Sequence, residues 1–257
     1  MPPRRTSRNS HLNQGAPFLR SIRSDPERMG GDSFPFTIPA FQHGISLELP
    51  TAVTFFVGEN GSGKSTLLEA LAEICGFNPE GGNRDHHREA REERSDLAQA
   101  ILLSWQPKVT EGFFMRAESF YNFASYLEGV SDFMAYGGKS LHRQSHGESF
   151  LALFQNRFEQ GLYILDEPEA ALSPHRQLAF LRIIHDLAVP RHAQFIIASH
   201  SPILLAYPGA TLYQFEDDGI REVAYRETDH YRVTKDFLNA PERMLGYLFS
   251  DEDESDA

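Results

Sequence analysis

Hydrophobic and polar positions change rhythm several times along this chain, and each change predicts an element. Phe34-Pro35-Phe36-Thr37-Ile38 and Ile45-Ser46-Leu47-Glu48-Leu49 alternate apolar and polar side chains, the pattern of half-buried strands. Val53-Thr54-Phe55-Phe56-Val57 is a nearly continuous apolar run, as a strand covered on both faces requires. Glycines follow at once, and from Lys64 the spacing becomes helical. Leu67, Leu68, Leu71, Ile74 and Cys75 share one face, and Gly76 is a suitable C-terminal stop. The order is strand, Gly-rich turn, helix.

Residues 77 to 96 read as a surface loop leading into a polar helical segment. The adjacent His86 and His87 point apart on a helix, so they are not assigned to metal. Further strands are predicted at Ala100 to Trp105 and Gly112 to Arg116, and helices at Ser119 to Leu127 and Glu148 to Glu159. Then Leu162-Tyr163-Ile164-Leu165 reads as a buried strand, Gln177 to Ala188 as an amphipathic helix and Phe195-Ile196-Ile197-Ala198 as another buried strand. Leu212 to Phe215 and Ile220 to Tyr225 flank Asp217-Asp218-Gly219 as a hairpin, and Tyr225 to Phe249 reads as a closing helix without chemistry. The fold class is α/β, with one domain over 34–249 and a helical lobe at about 77–160.

Length and composition agree with that picture. The chain has 257 residues, 40% of them hydrophobic, enough for one large domain with a sizeable core. No run approaches the roughly 18 apolar residues of a membrane span, and no secretory leader is visible, so a soluble, cytoplasmic protein is expected. The single cysteine, Cys75, excludes an intramolecular disulfide and a zinc site built on cysteine pairs, and reads as a small buried hydrophobe. The net charge of −12 argues against bulk attraction to nucleic acid or anionic membrane. Its distribution is uneven: residues 1–33 carry six arginines and read as a basic disordered tail, and residues 250–257 as an acidic one. The basic tail is either a plain solvated arm or a contact for nucleic acid or another acidic partner.

Three motifs carry candidate chemistry. Gly58-Glu59-Asn60-Gly61-Ser62-Gly63-Lys64-Ser65 matches G-x-x-x-x-G-K-[ST] between a buried strand and a helix. Glycines allow successive backbone N–H groups to curl around phosphate, and the helix N-terminus adds partial positive charge. Gly58, Asn60, Gly61, Ser62, Gly63, Lys64, Ser65 and Thr66 are therefore the nucleotide-binding candidates, with Lys64 reaching the β and γ phosphates and Ser65 ligating Mg²⁺. Secondly, the strand at 162–165 delivers Asp166 and Glu167 at its carboxyl end, where ligands of open α/β sheets bind. Asp166 is placed to hold Mg²⁺ and Glu167 to act as general base on water. Thirdly, His200 ends a buried strand 34 residues after Asp166, positioned to contact a γ-phosphate.

In this order the motifs resemble the ATP-binding cassette superfamily of ATPases, over roughly residues 34 to 215. The resemblance implies a mixed or parallel sheet with a small helical lobe, ATP and Mg²⁺ as ligands, and two subunits sandwiching ATP. It assigns Ser145-His146-Gly147-Glu148-Ser149 to the signature, a degenerate form in which Ser145, Gly147 and Glu148 would face the nucleotide of a second copy. Ser145 and Glu148 also form a capping box, a reading compatible with the first. The family's lid glutamine is not obvious: Gln106 follows one strand and Glu118 the next, and Glu118 is given the place, beside the metal. Pro168-Glu169-Ala170-Ala171-Leu172-Ser173-Pro174 departs from the transporter form and looks like soluble members acting on DNA or in genome defence. Stretches at 112–123, 145–149 and 166–172 look like stand-alone bacterial ATPases of the superfamily, related to the ATPase heads of chromosome-structural proteins. Those insert a long coiled coil, whereas Lys64 and Asp166 are only 102 residues apart with no sustained heptads between them, which excludes a long arm.

The expectation is a Mg²⁺-dependent ATPase forming an ATP-dependent homodimer, with a DNA or DNA-processing partner. Rival readings are the nucleotide-binding subunit of a transporter, disfavoured by the segment after Glu167, a small-molecule kinase, and an ATP-gated binding module with little turnover. Phe36 and Phe41 are candidates for stacking on adenine.

Overall fold

A computed structural model of the chain describes residues 15–78, 94–116, 151, 154 and 160–250. Its strands are β1 (Leu19–Ser24), β2 (Ser46–Glu48), β3 (Val53–Val57), β4 (Ile101–Trp105), β5 (Gly112–Arg116), β6 (Gly161–Asp166), β7 (Ala193–Ala198), β8 (Thr211–Glu216) and β9 (Gly219–Glu222). The helices are α1 (Lys64–Cys75), α2 (Asp96–Ala100), α3 (Pro174–Ala188), α4 (Pro202–Leu205), α5 (Asp229–Asn239) and α6 (Pro241–Phe249). The fold is mixed α/β. Among the described residues no helix is long and apolar enough to cross a membrane.

The continuous apolar runs become the interior of a six-stranded sheet of order β5-β6-β7-β3-β8-β9. All neighbours are parallel except β8 and β9, which form the expected hairpin. Alternate residues of each strand serve opposite cores, which is why those strands have no polar face. Phe55, Leu165, Phe195 and Ile197 pack with Phe180 and Ile184 of α3 on one side. Phe56, Ile164, Ile196 and Ala198 pack with Leu67, Leu68 and Leu71 of α1 on the other. Truncating a side chain buried like Phe195 to alanine costs about 3–5 kcal/mol in such a core.

The second layer over α1 is a three-stranded antiparallel sheet of order β2-β1-β4. Its central strand lies inside the stretch expected to be a basic tail, so from residue 15 onward that expectation is corrected. Arg20 and Arg23 disguise the strand. Phe18, Leu19 and Ile22 beside them are fully buried, while Arg23 lies outside and pairs with Glu48 at 2.8 Å. The strand expected at Phe34 to Ile38 is instead a series of turns leading into a 3-10 turn at Pro39–Phe41, because Pro35 and Pro39 lack the N–H groups of a ladder. The predicted closing helix is two helices, divided where Pro241 starts α6, and neither has a buried residue. The expected helix at 119–127 and residues 1–14 and 251–257 lie outside the described residues.

Gln194 joins the two sheets. Fully buried on β7, its Oε1 accepts from the amides of Phe18 and Leu19, both at 2.8 Å, and its Nε2 donates to the Leu19 carbonyl at 2.8 Å. An apolar replacement strands two buried N–H groups, each worth about 1–3 kcal/mol. Gln194→Leu is therefore expected to lower unfolding stability in urea by about 3 kcal/mol, and a loss under 1 kcal/mol would show that this junction does not hold β1.

Candidate functional site

The carboxyl ends of β3, β6 and β7 lie side by side, and each delivers one of the sequence motifs. After β3 the backbone turns through Gly58 (φ 150°), Gly61 (φ 81°) and Gly63 (φ 101°) into α1. Two of these positions exclude a side chain on space as well as conformation: a Cβ on Gly58 would lie 2.7 Å from the Phe215 carbonyl oxygen, and one on Gly63 2.9 Å from both Ile38 and Phe41. Phe41 is buried against this loop and against Phe215, so its ring forms a floor under the glycines and offers no face to a base. Phe36 is half-buried.

Three features of the loop fit a polyphosphate. The first turn of α1 leaves backbone N–H groups without intrahelical acceptors. Ser62 Oγ, inside the loop, is buried and has no hydrogen-bond partner. Lys64 is buried, and its ammonium donates to the carbonyls of Gly58 at 2.8 Å and Glu59 at 2.9 Å, leaving one of its three N–H donors for a ligand. Burial lowers the pKa of Lys64, against the raising influence of Glu167 and Asp166.

Asp166, the last residue of β6, stands across from the start of α1. Its Oδ1 accepts from Ser65 Oγ at 3.1 Å, and its Oδ2 lies 3.4 Å from Arg116 Nε. Arg116 ends the neighbouring strand β5 and also pairs with Glu69 at 2.6 Å. The Ser65 and Asp166 oxygens suit Mg²⁺, which takes few protein ligands and completes its shell with phosphate and water. Among the described residues, no group of three or more His, Cys, Asp or Glu could hold a metal ion by itself. Burial pushes the Asp166 carboxyl up to about 6, although the Ser65 hydrogen bond and the Arg116 charge act in the opposite direction.

Glu167 follows with φ 50° and ψ 52°, a left-handed conformation that glutamate rarely adopts. Its amide is held by the Ala198 carbonyl at 3.0 Å, and its side chain is 44% exposed at the mouth of the site. His200, two residues past β7, places Nε2 3.5 Å from Glu167 Oε1. Its backbone N–H donates to Glu169 Oε1 at 2.5 Å, and its Nδ1 lies 2.8 Å from Nε2 of His230 on α5. Burial, then the Lys64 charge, lower the pKa of His200; burial raises that of Glu169.

Residues 58–66, Asp166, Glu167 and His200 are thus brought together. Glu118, Ser145, Gly147 and Glu148 lie outside the described residues. Gln106 follows β4 in the small sheet, whereas β5 runs beside β6. Sequence reasoning missed Arg116, Glu169 and His230. A lone charge closing an apolar strand was the available signal for Arg116; nothing in the spacing marks His230.

The Asp166 shift has a testable sign. Because its folded pKa is raised, its contribution to stability is present below the ordinary carboxylate range and lost as pH rises from about 4 to about 6. Without metal, Asp166→Asn is expected to be more stable than wild type at pH 8, on the order of 2–3 kcal/mol. The difference should vanish at pH 4 in parallel urea titrations; equal stabilities at both pH values would mean that the carboxylate carries no burial penalty.

Residues 36–107, which include the phosphate loop, match the family described as "AAA domain". Residues 149–206, which include Asp166, Glu167 and His200, match the one described as "AAA domain, putative AbiEii toxin, Type IV TA system". Protein ea59 of Escherichia phage lambda is 39% identical over 72 residues, 26% of this chain and 14% of that protein. The zinc import ATP-binding protein ZnuC of Mannheimia succiniciproducens is 26% identical over 155 residues, 59% of this chain and 57% of that protein. The chain therefore spans from about one seventh to somewhat over half the length of these curated relatives. Among solved structures, the SMC head domain from Thermotoga maritima aligns at 15% identity with a TM-score of 0.46, over 80% of this chain and 98% of that one. The phosphate loop thus lies in one matched segment and the Asp-Glu strand in the other, and over these two stretches the chain is similar to AAA-type P-loop ATPase domains.

Proposed function

We propose that this chain binds ATP with Mg²⁺ in the loop at 58–66 and hydrolyses it as an ATP-sandwiched homodimer. The observation that carries this reading is the convergence of Lys64, the Ser65–Asp166 pair, Glu167 and His200 at the carboxyl ends of three adjacent strands. The loop amides and Lys64 bind the phosphate chain. Ser65 and Asp166, with Glu118 at the lid position, would hold the Mg²⁺ ion, which would supply charge neutralisation to the phosphate chain. Glu167, exposed at the mouth of the site, takes a proton from water as the water oxygen bonds to the γ-phosphorus. The bond from that phosphorus to the bridging oxygen breaks, giving ADP and inorganic phosphate. His200 contacts a γ-phosphate oxygen from the side.

The open mouth supports the dimer. The Glu167 and His200 side chains are 44% and 29% exposed, so the edge of the site beyond them is partly open among the described residues, although His200 Nε2 itself is buried. In the proposed dimer Ser145, Gly147 and Glu148 of a second copy cover it. Partners in DNA processing or genome defence are favoured by the segment 168–174 and by the toxin system named in one matching family description. A second reading, the nucleotide-binding subunit of a transporter, is favoured by the match to a zinc import protein; it requires a separate membrane partner.

Glu167→Gln is expected to keep ATP binding while lowering phosphate release at least about 100-fold. Light scattering on a sizing column should then show its mass doubling with Mg-ATP. Lys64→Ala should lose ATP binding and keep the nucleotide-free mass. A Glu167→Gln protein that binds ATP yet stays monomeric overturns the homodimer and favours the transporter reading. A wild type that binds ATP without releasing phosphate overturns hydrolysis.

A further inference from the structure

His230 belongs to none of the motifs, yet it makes a 2.8 Å ring-to-ring hydrogen bond to the histidine of the site. It occupies the second residue of α5, and three contacts fix that helix start. Thr228, 1% exposed, caps it by accepting from the Tyr231 amide at 3.3 Å. The Tyr225 hydroxyl donates to the Pro202 carbonyl at 2.9 Å, tying the segment to α4 just beyond His200. The Tyr225 and Tyr231 rings pack 4.8 Å apart. His230 is therefore presented to His200 by a braced element.

The direction of the His230–His200 bond follows from what lies on the other side of His200. If His200 Nδ1–H donated, its Nε2 would be a bare lone pair 3.5 Å from the Glu167 carboxylate, acceptor against acceptor. If His230 Nε2–H donates, His200 carries its proton on Nε2, facing the negative charge. The first arrangement buries an unpaired N–H at Nδ1 of His230 and the second an unpaired lone pair there, so that atom, buried and without a partner, does not favour the first. The carboxylate decides between them. The resulting relay runs from His230 Nε2–H to His200 Nδ1, and from His200 Nε2–H, at a buried atom, toward the Glu167 carboxylate 3.5 Å away.

We propose that His230 is a positioning residue that locks His200 as the Nε2–H tautomer, so that an N–H already points at the γ-phosphate when ATP arrives. The inference rests on the hydrolytic reading given above. It deepens that reading by explaining how a neutral histidine is kept a donor: unlocked, the ring shares its proton between two nitrogens, and only one of them faces the site.

The test uses full-length protein labelled with ¹⁵N-histidine. The nitrogen shifts of His200, assigned with His200→Gln, should report the Nε2–H tautomer in wild type and a mixture in His230→Ala. His230→Gln, whose amide N–H₂ reaches a similar position, should restore the tautomer. In steady-state assays His230→Ala is expected to lose about 10–100-fold in kcat with KM within threefold, and His230→Gln to recover most of it. An Nδ1–H tautomer in wild type, or an unchanged tautomer in His230→Ala, overturns the proposal. So does a kcat defect that His230→Gln fails to relieve although its tautomer is restored. If wild type lacks ATPase activity, the hydrolytic reading fails on its own, and the nitrogen shifts still decide whether His230 sets the proton.

Discussion

The position of β7 between β3 and β6 sets the geometry on which the rest of the site depends. Parallel pairing places Ala198 opposite both Phe56 and Asp166, so that three strands end at one level. Just past that level the Glu167 amide donates to the Ala198 carbonyl at 3.0 Å and the Ser199 amide to the Phe56 carbonyl at 3.1 Å. The phosphate loop, the paired acids and His200 therefore meet without any loop reaching across the molecule. A slip of one residue in β7 would exchange the side chains facing the two cores and move His200 away from Glu167.

That alignment concentrates charge in a place that resists it. Lys64 and Asp166 are at most 5% exposed, and Glu169 lies behind them with one carboxylate oxygen buried and without a partner. The opposing pKa displacements of Lys64 and Asp166 share burial as their main cause. Arg116 eases the cost for Asp166 by placing a cation near its Oδ2, at the edge of the region a metal would share. The left-handed backbone of Glu167 adds local strain, of order 1–3 kcal/mol, at the residue proposed as general base. Ligand binding has much to relieve here.

Where the sequence carried a strong local signal, the structure follows it closely. The run Val53–Val57, the helix from Lys64 to Cys75 and the left-handed Gly76 after it coincide with their predicted limits. Strands covered on both faces have no polar alternation to confuse the reading, and a phosphate loop constrains its own spacing. β1 was hidden because its arginines dominate composition, while its buried side and its tie to Gln194 are tertiary facts. Phe34 to Ile38 alternates like a strand, but its prolines cannot enter a ladder. Most of the candidate site was legible because each motif sits at a strand end; Arg116, Glu169 and His230 became visible only when β5, the turn after β6 and α5 were brought to the same point.

The Gln194 junction also orders events during synthesis. Phe18 and its acceptor are separated by 176 residues, so β1 leaves the ribosome long before the side chain that secures it exists. At typical translation rates that interval is roughly 10–35 s. During it β1 can pair with β2 and β4, but the Phe18 and Leu19 amides must stay hydrated. The apolar floor beneath them is then exposed to chaperones or to neighbouring nascent chains. The small sheet is thus begun well before β7 is made and completed only after it.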